Sequence, residues 1–170
     1  ICFFVRTAKW GMYKNYRFAM KNSVIKDLNI NHSFHFFDSG SRAFAQFIDV
    51  ENNAFENITG DIFRLNKETD DLGIYNAEYL NVINNTFTNV EGTLVNLYRG
   101  GSDESTFGPH ILFKNNIVNK VGQGKRNKSK SALMLHGVQV TNIHHNAFID
   151  SAAVNIEHTV GEPVTRFTNN

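Results

Sequence analysis

Cysteine, proline and net charge are all scarce in this chain of 170 residues. The single cysteine, Cys2, rules out an internal disulfide and a cysteine-rich zinc site. Lys and Arg number 17 against 16 Asp and Glu, a formal net charge of +1, which excludes a polyanion binder driven by overall charge; any basic patch must be local. No run of about 18 apolar residues exists to span a membrane. With only 2 Pro and 12 Gly, the residues that stand out are 15 Phe and 23 Asn, and the Asn excess needs a mechanism. Apolar residues at 41% can supply a core. Residues 1–5 are apolar but lack the charged start and cleavage site of a signal peptide, and residues 167–170 stop inside a recurring pattern. The expectation is one domain over 1–170, cut from a longer protein.

The pattern is a phrase repeated about every 24 to 32 residues: Val50-Glu51-Asn52-Asn53-Ala54-Phe55, Val82-Ile83-Asn84-Asn85-Thr86-Phe87, Phe113-Lys114-Asn115-Asn116-Ile117-Val118 and Ile143-His144-His145-Asn146-Ala147-Phe148. Phe167-Thr168-Asn169-Asn170 begins it again, and Met20, Ser23, Ile25 and Leu28 fit it with Ser in the Asn slot. Apolar spacings of two and three, with β-branched and aromatic residues, exclude a helix and read as short strands joined by bends. Such a unit predicts an all-β fold, a right-handed parallel β-helix of about five coils, rather than a sandwich, whose strands do not repeat a phrase in register. Asn tolerates left-handed backbone, and its amide can bond the Asn of the next coil. Asn53, Asn85, Asn116, Asn146 and Asn170 are therefore expected to form a ladder along one corner, with Phe55, Phe87, Val118 and Phe148 stacked inside.

A second strand family aligns across the coils: Phe34–Asp38, Phe63–Lys67, Val95–Arg99, Leu133–Gly137 and Val154–His158. First and third residues are apolar and point inward; the second, fourth and fifth are expected to face solvent. This puts His35, Arg64, Asn96, Met134 and Asn155 in one column, Phe37, Asn66, Tyr98, His136 and Glu157 in the next, and Asp38, Lys67, Arg99, Gly137 and His158 at the strand ends. Lys67 and Arg99 then lie on adjacent coils about 5 Å apart. Two cations side by side are unfavourable unless something anionic sits between or over them. The alternative is that each pairs with a nearby carboxylate, Glu68, Asp70 or Asp71 for one and Asp103 or Glu104 for the other. The basic run Lys120–Lys130 reads either as a solvated, mobile loop or as a wall that attracts an anionic polymer. Nucleic acid is disfavoured because no known module fits the repeat. His144-His145 fills a corner slot and reads as structural. No Ser-His-Asp signature is present.

Asn66-Lys67-Glu68, Thr93–Gly100 and the run Tyr98-Arg99-Gly100-Gly101-Ser102-Asp103-Glu104-Ser105-Thr106 together resemble polysaccharide lyase family 6, the chondroitinase B and alginate lyase group. The specific motifs lie within about residues 60 to 110. The resemblance implies a secreted or periplasmic monomeric enzyme that cleaves an anionic polysaccharide, alginate or a dermatan-type or chondroitin-type glycosaminoglycan, by β-elimination. Lys67 would be the base and Arg99 the stabiliser of developing charge, with Arg64, Tyr98, Asn96, His136 and His158 contacting substrate. The family often uses calcium held by glutamates shortly before the lysine; here Gly60, Ile62 and Arg64 stand at or near those places. Either Arg64 neutralises the substrate carboxylate instead, or Glu68, Asp103 and Glu104 bind calcium from the loops. The competing readings are a non-catalytic carbohydrate-binding β-helix of the adhesin or tail-spike kind, and a β-helix glycoside hydrolase, which the separation of Glu157 from Asp38 disfavours.

Overall fold

The structure is a computed structural model that describes residues 3–5, 17–28, 35–40, 43, 45–67, 76–99, 109–159 and 161–170. After β1 (Phe3–Val5), the chain winds through five coils of three strands. The first holds β2 (Arg17–Lys21), β3 (Val24–Leu28) and β4 (His35–Ser39); the second holds β5 (Ala45–Glu51), β6 (Ala54–Ile58) and β7 (Asp61–Leu65). The third is β8 (Ala77–Ile83), β9 (Thr86–Val90) and β10 (Val95–Tyr98). The fourth is β11 (His110–Lys114), β12 (Ile117–Val121) and β13 (Ser131–His136), and the fifth β14 (Val140–His144), β15 (Ala147–Ile149) and β16 (Ala153–Glu157), followed by β17 (Val164–Thr168). Corresponding strands pair in parallel into three sheets: β1-β4-β7-β10-β13-β16, β2-β5-β8-β11-β14-β17 and β3-β6-β9-β12-β15. This is the expected parallel β-helix, and no sandwich pairing occurs among the described residues. Nor is any helix among them long and apolar enough to cross a membrane.

The double-Asn corners explain the Asn excess, with the two residues dividing the work. The first of each pair, at Asn22, Asn52, Asn84, Asn115, His145 and Asn169, turns the chain with φ between 53° and 57°, a left-handed conformation that Asn adopts at little cost. The second, buried at Asn53, Asn85, Asn116 and Asn146, builds the ladder. The Asn85 Oδ1 accepts from the Asn53 N–H at 2.9 Å and the Asn53 amide at 3.0 Å, while its Nδ2 donates to Val50 O at 2.9 Å and Asn116 Oδ1 at 3.1 Å. Asn116, Asn146 and Asn170 continue the pattern, and the Ser23 N–H bonds Asn53 Oδ1 at 3.0 Å, so Ser occupies the Asn slot as read. His145 sits in the turning slot, as the structural reading of His144-His145 requires.

Inside, the aromatic file switches sheets. Phe55 stacks on Phe87 at 5.1 Å, but where Val118 replaces a ring the stack passes to Phe113, then to Phe148 and Phe167, at 6.1–6.4 Å. Val118 is still fully buried between Phe87 and Phe148 in the ladder. Volume, rather than position alone, selects which sheet supplies the ring.

Candidate functional site

The outward face of the sheet β1-β4-β7-β10-β13-β16 carries the predicted columns. Asn96 pairs with Arg64 and with Met134, which pairs with Asn155; Tyr98 pairs with His136, which pairs with Glu157. The first coil departs from the expectation. His35 pairs with Asp61 and Asp38 with Arg64, so β4 sits three residues away from the alignment that set His35 beside Arg64. Phe34, Phe36 and Phe37 blur the period-two signal there, and both Phe36 and Phe37 are buried, so alternation could not place the strand.

The slip gives Arg64 a partner. Its Nε and Nη2 donate to the Asp38 carboxylate at 2.9 and 2.6 Å, a two-pronged pair in which Asp38 is almost wholly buried. Arg64 is therefore not the free cation that the sequence suggested, although Nη1 is not used in this pair.

Lys67 and Arg99 lie just beyond the β7–β10 ladder, which pairs Val95 with Phe63, Asn96 with Arg64 and Leu97 with Leu65. The pairing ends at Leu97 with Leu65, so Lys67 and Arg99 follow the two strand ends on adjacent coils without forming a ladder step of their own. The Arg99 N–H still follows the sheet, donating to His136 O at 2.9 Å. The Lys67 N–H has left it and donates to Asn76 Oδ1 at 2.9 Å. Asn76, 1% exposed, ties down this departure: its amide donates to Gly40 O and Ala43 O, and its carbonyl accepts from the Ala45 N–H. Sequence reasoning missed this residue, because a single Asn in a long connection carries no pattern.

Arg99 differs from the expectation in a second way. Rather than facing solvent it is 2% exposed, and its Nε and Nη1 have no hydrogen-bond partner. As the residue after Tyr98 it falls on the inward phase of the strand, which hides it from water. The next coil can close over this strand end only because Gly137 is there, at φ +68°; a Cβ would meet the Arg99 carbonyl oxygen at 2.4 Å.

Beside this pair, the Tyr98 and His136 rings stack at 4.4 Å, and His136 Nδ1 lies 3.0 Å from the Glu157 carboxylate. The two ring faces are turned toward each other across adjacent strands, a stacked pair set on the outward side. His158 is exposed at the end of the face, its Nε2 3.2 Å from Thr165 Oγ1. Glu68, Asp103 and Glu104, with the rest of 100–108, lie outside the described residues. Among the described residues no group of three His, Cys, Asp or Glu is placed to hold a metal. The described carboxylates on this face are already engaged: Asp38 by Arg64, Asp61 by the Thr93 N–H at 2.9 Å, and Glu157 by His136.

The histidines with shifted acidity lie on the sheet β2-β5-β8-β11-β14-β17, away from this face. His110 is lowered by burial against the opposing pull of Glu78; His144 is lowered by desolvation and by neighbouring His145 and Lys114.

The basic run is a fastened turn rather than a mobile loop. Asn127 donates to Gly122 O and Ser131 O at 2.8 and 3.1 Å and accepts from the Thr93 and Ser129 hydroxyls, while the Gly124 N–H donates to Glu91 O. Lys125, Arg126, Lys128 and Lys130 project from it, exposed.

No family model matches the chain, and no curated protein does. Solved structures do. The PL6 family alginate lyase AlyGC is 58% identical over 88% of this chain, with a TM-score of 0.83. An arginine-to-alanine variant of that enzyme is 55% identical over 91%, with a TM-score of 0.85. The chain spans only 20–22% of their length. With identity of that order across nearly the whole β-helix described above, the chain belongs to polysaccharide lyase family 6.

Proposed function

We propose that the protein cleaves a uronic-acid polymer, alginate first, by β-elimination at the ends of β7 and β10, where Lys67 and Arg99 follow the strands. The observation that carries the assignment of residues is the buried guanidinium of Arg99, whose Nε and Nη1 have no hydrogen-bond partner, on the coil next to that of Lys67. A buried cation without a partner is costly, and it is retained where an anion completes it. A uronate supplies that anion. Lys67 takes the C5 proton, the electron pair forms the C4–C5 double bond, and the C4–O bond breaks. Arg99 stabilises the charge that develops on the leaving oxygen, which is then protonated.

The C5 proton leaves only when the substrate carboxylate is neutralised. The carboxylates described on this face are engaged, so they do not fit a calcium ion. We assign the neutralisation to Arg64 through its Nη1 edge, with Tyr98, Asn96 and His136 supporting the ring. Two carboxylates converging on one site, as a glycoside hydrolase needs, are missing among the described residues: Asp38 is sequestered and Glu157 lies four coils further on.

The test is release of unsaturated product, followed by absorbance, from alginate, polymannuronate and dermatan sulfate with the full-length protein. Lys67→Ala and Arg99→Ala should each lower kcat/KM by about 10² or more, and a chelator should leave the rate unchanged. No product from any polymer, or wild-type rates in both variants, overturns the lyase reading. Loss of activity on chelation transfers the carboxylate from Arg64 to calcium on Glu68, Asp103 and Glu104.

A further inference from the structure

A cleft of about 330 Å³ opens between the fastened basic turn and the outer face of β7 and β10. Arg64, Asn66 and Asn96 line its strand side, and Arg126, Lys128 and Ser129 its turn side. The volume is at the small end of ligand clefts, the size of a sugar unit rather than of a cofactor.

Its chemistry is asymmetric. On the strand side, Asp38 offsets the charge of Arg64, and Asp61 in the floor, which accepts from the Thr93 N–H, adds a negative charge, so an anionic group is directed away from that wall and toward the turn. The turn side carries two exposed cations, Arg126 and Lys128, and among the described residues no carboxylate is paired to either. The hydrogen bonds of Asn127 to Gly122, Ser131, Thr93 and Ser129 hold the backbone between them in place. Deeper in, Asn66 Oδ1 is buried and has no hydrogen-bond partner; nor has His35 Nδ1, which lies 3.5 Å from Asp61 without bonding it. An acceptor kept dry and unpaired is unfavourable unless a ligand donor reaches it. A ligand that fits has one anionic group toward the turn and hydroxyl donors toward the strands.

We propose that this cleft is a subsite for one uronate unit of the polymer, with Arg126 and Lys128 taking its carboxylate and Asn66 accepting from its hydroxyl. The choice of a uronate rests on the lyase reading above; the site itself does not depend on Lys67 or Arg99. The cleft adjoins the Arg64–Asn96 column, so a chain bound there continues along the same face toward Tyr98 and Lys67.

The experiment titrates the full-length protein with a saturated alginate tetrasaccharide, and with cellotetraose as the uncharged counterpart. Arg126→Ala with Lys128→Ala should weaken tetrasaccharide binding tenfold or more and flatten its salt dependence. Lys125→Ala with Lys130→Ala removes the same charge from the same turn but outside the cleft, and should change the affinity less than twofold. Asn66→Ala should weaken binding without altering the salt dependence. Cellotetraose should not bind measurably. Equal losses in the two double variants, or none in the first, overturn the subsite. Cleavage of polymer by the wild type separates the two readings. If the polymer is cleaved and Arg126→Ala with Lys128→Ala alters neither affinity nor KM, the subsite falls and the lyase stands. If nothing is cleaved while that variant loses affinity, the subsite stands and the lyase reading falls.

Discussion

Arg99 holds an unfavourable position that no described residue relieves: a buried guanidinium with two nitrogens unpaired. Replacing a buried charge by an apolar side chain of similar volume is often neutral or stabilising. Arg99→Met should therefore leave Tm equal or higher while turnover falls by about 10² or more, a split that thermal melts and product assays on one preparation will show. A lower Tm with activity retained would make Arg99 a structural residue. Arg99 was legible from its motif, but its burial was misread: strict alternation from Val95 turns Arg99 inward, whereas the strand end was expected to face solvent. Arg64 shows the same limit. Its pairing with Asn96 was read correctly, but His35 was set beside it where Asp38 stands, because the phase of that neighbouring strand is ambiguous in the sequence.

At the scale of the strand and its corner, periodicity carried most of the information. The ladder of Asn53, Asn85, Asn116, Asn146 and Asn170 was visible as a repeated phrase, and it formed. A second ladder was missed: Asn89 donates to Asn57 Oδ1 at 3.0 Å and Asn57 to Asp27 Oδ1 at 2.9 Å, on residues with φ of 54° to 58°. Its signal was weaker because the slot accepts Asn, Asp or Lys, as Lys120 and Asp150 show. The ladders differ in burial, and so should their contributions. Asn85→Ala leaves several buried groups unpaired and should cost about 3 kcal/mol, whereas Asn57→Ala, in water, should cost less than about 1 kcal/mol. Urea denaturation of the two variants measures both, and equal costs would contradict the buried ladder as the stabilising one.

For the whole molecule, each coil touches only its neighbours, so opening should begin at the ends of the stack and stop toward the middle. The burial pattern agrees: β8 and β9 are largely covered, while every residue of β17 is exposed and Phe167 is half open to solvent. Amide exchange should accordingly be slowest in β8, β9, β11 and β12 and fastest in β2 and β17; uniform protection along the stack would contradict this. The two-residue corner before β3, β6, β9, β12 and β15 has a further consequence. An added residue there would put a ladder amide out of reach of its neighbour, so that edge of the helix is closed to insertion. The other two corners obey no such limit: two residues lie between β6 and β7 but nine between β12 and β13, and eleven between β7 and β8 and again between β10 and β11. Both of these permissive edges border the sheet β1-β4-β7-β10-β13-β16. Evolution can lengthen this protein only along the rims of its working face, so relatives with different substrates should differ in the height of its walls and agree along its spine.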